Sequence, residues 1–312
     1  MKKCLFCRKL IDEEHDYEYH SKCSKSFFGT PNPPELCYSL SEIEKLAEET
    51  INRRISVTGV QPKLSLDIQN NPDRKRLTIV NLWGKFVLKP PFLDYPGLPE
   101  NEDAVMHCAD LAGIATVPHA MIRFSSGELG YITKRIDRSK ENKFHMEDFC
   151  QLSEKYTNEK YNGSLESASK VILKYSSNPG FDCLRLFETV LFSFLTGNAD
   201  MHLKNYSLIS NENSEISLSP AYDLVSTALA LPMDKEDYAL TINGKKNNLK
   251  IEDFFKLSSH LQINDKTVFS ILKRFSSWKK AAIMSIDESF LSSEDGLKLK
   301  KIISSRAERL GI

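Results

Sequence analysis

The sequence predicts an α+β fold in which a strand-rich first part carrying one helix precedes a helical remainder. Between Ile55 and Arg138, short runs of alternating apolar and polar residues are punctuated by Gly, Pro and Ser turns, with one helical pattern among them. From Glu147 onward apolar residues recur mostly at helical spacing, and the densest stretch, Phe181 to Leu195, must be nearly buried. At 312 residues the chain can bury a large core, as one two-lobed domain or two closely packed ones.

Charge and cysteine usage narrow the class. Lys+Arg 42 matches Asp+Glu 42, so net charge points to neither a nucleic-acid nor a membrane surface. Pairs such as Lys245-Lys246 and Lys279-Lys280 read as solvated faces. No apolar run approaches the roughly 20 residues of a membrane span, and Met-Lys-Lys leads into polar sequence, so a cytoplasmic protein is expected. Seven cysteines, an odd number, fit free thiols or a metal site better than a disulfide framework.

The chain opens with Cys4-x₂-Cys7 and His20-x₂-Cys23, followed by Phe27-Phe28-Gly29 and the Pro-rich segment Pro31 to Pro34. The four Cys and His side chains have the spacing of a small zinc knuckle, two on a tight turn and two on a helical turn. Reduced thiols packed against the next domain are the other reading, and spacing alone leaves both open. Residues 1–36 form this segment, 37–136 a strand-rich lobe and 137–312 a helical lobe. Ser41 to Thr50 reads as a short helix with Ser41 as N-cap and Glu44 completing a capping box. Ile55 to Leu66 alternates around a Gly-Val-Gln-Pro turn, a strand-loop-strand suited to covering phosphates but poor in glycine. Lys85 to Lys89 is a strand that ends in a lysine. Glu100-Asn101-Glu102 opens a helix that stops at Gly113, placing Glu102 as an ion-pair partner for Lys89 or as an acid favoured at a helix start. Val117–Phe124 and Leu129–Arg138 read as two strands joined by a Ser-Ser-Gly turn, the end of the second acting as hinge to the helical lobe.

The chemistry concentrates after the apolar helix. In Gly197-Asn198-Ala199-Asp200-Met201-His202-Leu203-Lys204-Asn205 an Asp stands five residues before an Asn, and Tyr222-Asp223-Leu224 follows beyond a strand, polar turn and strand. One loop thereby offers a carboxylate to an attacking hydroxyl and an amide oxygen to Mg²⁺, with a second Asp as the other metal ligand, which is the order of a kinase catalytic loop and metal-binding Asp. Segments near Ile251–Leu261, Asp265–Ser277 and Gly296–Leu310 carry helical spacing and close the second lobe.

With Ser56 to Leu66, Val87-Leu88-Lys89-Pro90, Asn101-Glu102, Arg135-Ile136-Asp137-Arg138, Glu147 to Gln151, Gly197 to Asn205 and Pro220 to Asp223 in that order, the chain resembles the HipA-like serine/threonine kinase toxins. The resemblance runs from about residue 50 to the end, and the short stretch ahead of it looks more like the HipT-type kinases of three-gene modules. It implies a bilobal protein-kinase-like fold, with a β-rich lobe over an all-α lobe, and a toxin that uses ATP and Mg²⁺ to phosphorylate a protein, an aminoacyl-tRNA synthetase being the known substrate type. It also implies a DNA-binding antitoxin as partner and, for the short kinases, a separate small protein of the HipS kind.

Carried over residue by residue, the resemblance implies that Asp200 is the base and that Asn205 and Asp223 hold Mg²⁺. It implies that Lys89 neutralises phosphates while Thr58, Gly59, Val60, Gln61, Pro62 and Lys63 line the triphosphate. Lys134, Arg135 and Ile136 would meet adenine through the backbone, and His202 and Lys204 would border the nucleotide. Ser56 stands where family members phosphorylate themselves to eject the loop and switch off, with Thr58 a second candidate; a phosphate there adds about two negative charges beside the ATP site. Leu224 departs from the Phe-Gly of many kinases. A kinase of small molecules or lipids, or a catalytically silent nucleotide-binding partner of an antitoxin, are the competing readings, because the fold does not decide the acceptor.

Overall fold

The computed structural model describes residues 2–12, 16–52, 61–70, 75–80, 83–92, 94–95, 97–139 and 142–312. The chain divides into two compact units: Met1–Asp103, Val117–Ile136 and Glu288–Leu291 form the first, and the rest forms the second.

In the first unit, β1 (Lys2–Lys3) pairs with β2 (Leu10–Ile11), and α1 (Ser21–Phe28) and α2 (Leu40–Asn52) follow. A five-stranded antiparallel sheet is built from β3 (Leu64–Asn70), β4 (Lys75–Ile79), β5 (Phe86–Lys89), β6 (His119–Arg123) and β7 (Leu129–Lys134), in the order β4-β3-β5-β7-β6; α3 (Leu98–Leu111) lies in sequence between β5 and β6. Alternation supplies the core: Leu64 and Leu66 of β3, and Phe86 and Leu88 of β5, are all buried. The segment 1–36 belongs to this unit. The rings of Phe27 and Phe28 of α1 each pack, tilted, with centroids 5.6 Å from that of Phe86, and the N–H of Met121 on β6 donates to the Leu5 carbonyl at 2.8 Å.

Two helix starts fall earlier than the sequence reading places them. The capping box of α2 is Ser39 with Glu42, not Ser41 with Glu44: Glu42 Oε2 accepts from the Ser39 N–H at 2.7 Å, and the Ser39 hydroxyl accepts from the Glu42 N–H at 3.3 Å. Both pairs have the same spacing. Helix α3 begins at Leu98, directly after Gly97 at φ 79, and Gly113 at φ 78 follows its end as expected.

The second unit is mainly helical and carries a three-stranded antiparallel sheet, ordered β10-β9-β8, made of β8 (Met146–Asp148), β9 (Ser207–Ser210) and β10 (Ile216–Leu218). Its helices are α4 (Phe149–Leu152), α5 (Leu165–Tyr175), α6 (Pro179–Thr196), α7 (Thr227–Ala230), α8 (Ile251–His260), α9 (Asp265–Asp287) and α10 (Ser293–Leu310). Helix α9 runs ten residues beyond the span read from the sequence, because Trp278, Ala282 and Ile286 continue its buried face. Helix α6 starts at an Asn178 cap with Pro179 in its first turn, and from Thr189 to Thr196 every residue is buried. Phe194 packs edge-on to Phe254 at 5.1 Å, and on its other side lie Arg306 and Arg309 of α10, at 4.9 and 4.6 Å from the ring centroid. Both arginines also reach buried Asp237, at 2.9 and 2.7 Å. Among the described residues no helix is long and apolar enough to cross a membrane.

Candidate active site

The loop that follows α6 is built by its own backbone. Gly197 ends the helix at φ 71, and a Cβ there would lie 2.8 Å from Ala228 Cβ and 2.9 Å from Ile302 Cγ2. Glycine is needed for both the left-handed turn and the close approach. Gly197→Ala is therefore expected to cost about 2–4 kcal/mol, from the positive φ and the overpacking together, read as a lowered denaturation midpoint. Thr227 then ties the loop to α7: its hydroxyl donates to the Gly197 carbonyl at 3.1 Å and accepts from the Ala199 N–H at 2.7 Å. Asn198, fully buried, accepts the Asp200 N–H on Oδ1 at 3.1 Å.

These ties leave Asp200 at the end of a rigid turn with a half-buried carboxylate. Asn205 closes the loop by donating its Nδ2 to the Asp200 carbonyl at 2.9 Å, while its own N–H reaches the His202 carbonyl at 2.9 Å. With Nδ2 fixed on that carbonyl, Oδ1, the atom of the amide that carries lone pairs, is the one that can accept from, or coordinate, something else. The Tyr222 hydroxyl donates to the Lys204 carbonyl at 3.0 Å, so Asn205 and Asp223 each follow directly on one end of that bond. Asp223 has φ 58, a left-handed conformation that costs a non-glycine residue on the order of 1 kcal/mol and that aspartate tolerates better than most. Leu224 behind it is fully buried.

Several partners of this loop have no signature in the sequence. The Tyr161 hydroxyl donates to Asp200 Oδ1 at 2.7 Å, and its ring meets His202 edge-on at 5.1 Å. Burial, then the neighbouring Asp200 carboxylate, push the Tyr161 phenol well up, so it stays a donor at neutral pH. Burial likewise pushes His202 below the usual imidazole range, outweighing the Asp200 charge, so the ring is neutral at pH 7. Lys204, read as bordering the nucleotide, is held by Asp148 at 2.8 Å, and the same Asp148 caps α4 through Gln151. Tyr161 stands 39 residues before Asp200, and no spacing rule links them.

In the first unit, Lys89 closes β5 with its ammonium on both oxygens of Glu102, at 2.5 and 2.7 Å. Lys89 is 4% exposed and Glu102 2%. The ammonium also sits 5.4 Å from the Tyr131 ring centroid. Gln61 donates Nε2 to the Pro90 carbonyl at 3.0 Å, next to the end of that strand; Pro62 and Lys63 lead into β3. The N–H groups of Lys134 and Arg135 are given to the Pro118 and Lys85 carbonyls, each at 2.8 Å. Ser56, Thr58, Gly59 and Val60 lie outside the described residues.

The profile of the HipA-like C-terminal domain family matches residues 55–283, more than half of the chain. The chain belongs to that family. A relative called a putative kinase, from Haemophilus influenzae, is 29% identical over 267 residues, which are 77% of this chain and 76% of that protein. The serine/threonine-protein kinase toxin HipA of Shewanella oneidensis is 28% identical over 193 residues, 55% of this chain and 43% of its own length. Among solved structures, HipA from the Shewanella oneidensis complex of HipA, HipB and operator DNA superposes with a TM-score of 0.68 at 22% identity, covering 85% of this chain and 70% of that one. The HipA-like kinase fold is thereby shared, with Asp200, Asn205, Asp223 and Lys89 all inside the matched span.

Proposed function

We propose that this chain is a Mg·ATP-dependent serine/threonine protein kinase of the HipA and HipT toxin kind. The observation that carries the reading is the Asp200–Asn205 loop, in which the Asn205 Nδ2 hydrogen bond to the Asp200 carbonyl fixes the backbone and brings a carboxylate and an amide oxygen into one turn. In the proposed mechanism Asp200 takes the proton of the substrate hydroxyl as it attacks the γ-phosphoryl group. The Asn205 Oδ1 and the Asp223 carboxylate are the donor pair for Mg²⁺, and an amide oxygen with a carboxylate suits that hard cation. Lys89 neutralises phosphate charge from its pairing with Glu102, and Gln61, Pro62 and Lys63 continue from the nucleotide loop. Adenine meets the backbone of the Lys134–Ile136 stretch. Positioning and charge neutralisation supply the acceleration.

By the same reading the acceptor is a protein, with an aminoacyl-tRNA synthetase as the proposed class. A DNA-binding antitoxin is the proposed partner, which the association of Shewanella HipA with HipB and DNA supports, alongside a small HipS-like protein. Balanced charge, 42 basic and 42 acidic residues, argues that DNA would be met through that partner.

The test is the intact mass of the chain before and after incubation with Mg·ATP, about 80 Da being expected for each phosphate attached. Gain confined to Ser56 or Thr58 supports the reading; ATP consumed with no mass gain on chain or synthetase moves the acceptor to a small molecule. Tyr161→Phe gives a second check. Losing a hydrogen bond that orients the base is expected to cost about 1 kcal/mol, roughly a fivefold fall in kcat with KM for ATP unchanged. A raised KM for ATP with kcat unchanged would mean that Tyr161 serves nucleotide binding instead.

A further inference from the structure

The first 28 residues contain a four-sided cluster that phosphotransfer does not use. Cys4 leaves β1 into a tight turn, Cys7 stands at its far side, His20 immediately precedes α1 and Cys23 lies in the first turn of that helix. One ligand atom from each of the four lies within 4.8 Å of every other. Two edges of the figure are closer still: Cys7 Sγ is 3.3 Å and Cys23 Sγ 3.7 Å from His20 Nδ1. A tetrahedral Zn²⁺ with ordinary bond lengths to sulfur and nitrogen requires S–N edges of about 3.6 Å, between those two values.

Three further features favour a metal over a chance meeting of thiols. His20 Nε2 lies 3.1 Å from the Leu10 carbonyl, a bond that places the ring proton on Nε2 and leaves Nδ1 as a lone pair aimed at the sulfurs. The turn itself is of the metal-knuckle type. Arg8, next after Cys7, has φ 62, and its N–H returns to the Cys4 carbonyl at 2.8 Å, so both sulfurs project to one side. That strained residue is also anchored, because the Arg8 guanidinium is buried against Asp103, with Nε at 2.9 Å and Nη2 at 2.6 Å from Oδ2. The segment's own core rests on a handful of side chains, Leu5, Ile11, Tyr19, Phe27 and Phe28, and an ion would add to the order that they supply.

We propose that Cys4, Cys7, His20 and Cys23 form a closed structural site for one Zn²⁺ that holds the N-terminal segment in its fold. Three thiols and one imidazole nitrogen make a soft, four-coordinate set that suits Zn²⁺ over Mg²⁺ or Ca²⁺ and keeps no open position for chemistry. On binding, each thiol releases its proton to solvent and each sulfur donates an electron pair to the metal; nothing is oxidised. The Arg8–Asp103 pair ties the site to the residue beside Glu102, so the metal supports the helix that carries the Lys89 partner.

The test uses the full chain purified without chelator. Elemental analysis is expected to find about one zinc per chain. Replacement by Co²⁺ should produce the visible absorption of tetrahedral thiolate coordination. Removing the metal with a chelator should expose three additional thiols to a disulfide reagent, those of Cys4, Cys7 and Cys23, and should lower the thermal midpoint. Cys7→Ser and Cys23→Ser should each lose the zinc, while Cys37→Ser, an exposed thiol outside the cluster, should keep it. If the serine variants fail to fold, Co²⁺ titration into zinc-stripped wild type still decides. A zinc-free chain whose thiols react at the same rate with and without added Zn²⁺ would overturn the site, and this readout is independent of any kinase activity.

Discussion

Asp200→Asn is expected to lower phosphotransfer to a protein acceptor by about 10²–10⁴-fold, the usual contribution of a positioned general base. The substitution removes the proton acceptor and leaves the architecture, since the Asp200 backbone is held by Asn198, Asn205 and His202 rather than by its own carboxylate. The variant should therefore unfold at nearly the wild-type midpoint and bind Mg·ATP with similar affinity. The decisive comparison is single-turnover transfer of labelled γ-phosphate by the two proteins at saturating ATP. A variant retaining more than about a tenth of the wild-type rate would remove Asp200 from the role of base. Asp223→Asn should differ in kind, weakening the dependence on Mg²⁺ rather than the proton transfer, so raising Mg²⁺ should recover part of its rate.

Lys89→Met is expected to carry the largest effect on stability. It deletes the cation against which Glu102, 2% exposed, holds its charge. Removing one partner of a buried ion pair typically costs about 3–5 kcal/mol, because the remaining charge has lost both water and counterion. Replacing both with apolar side chains of similar volume is often neutral. Lys89→Met combined with Glu102→Met should accordingly recover most of the lost midpoint in urea, though not ATP turnover, which needs the ammonium itself. If single and double variants unfold at the same urea concentration, the pair contributes nothing beyond packing, and its place in the fold is incidental. The two readouts separate a residue that stabilises from one that also neutralises phosphate.

The elements most legible in the sequence were those whose signal is local. The apolar density of Phe181 to Leu195, with Asn178 before it and Gly197 after it, marks α6 without reference to any other part of the chain. The strand Lys85 to Lys89 and the helix ending before Gly113 are similar cases. Where two equivalent local signals compete, the outcome is not local. Ser39-x-x-Glu42 and Ser41-x-x-Glu44 are both capping boxes on paper, and the first is used, in a segment where the Leu40 N–H also donates to Ser126 Oγ at 2.9 Å. Helix α9 is longer than the span read from the sequence because Trp278, Ala282 and Ile286 keep its buried face going past Ser277.

By itself the sequence determined which polar residues stand near each other along the catalytic loop, since Asp200 and Asn205 lie within one turn whose backbone hydrogen bonds span only a few residues. It also determined the order of Lys89, Glu102, Asp200 and Asp223 that marks the family. Only the tertiary structure decided their partners. Tyr161 on Asp200, Asp148 on Lys204, Arg8 on Asp103 and His20 beside Cys7 all join positions separated by loops or whole elements. Chain-local geometry follows from a few dihedral angles, whereas these contacts exist only after packing has brought the elements together and removed the water that would otherwise satisfy each group.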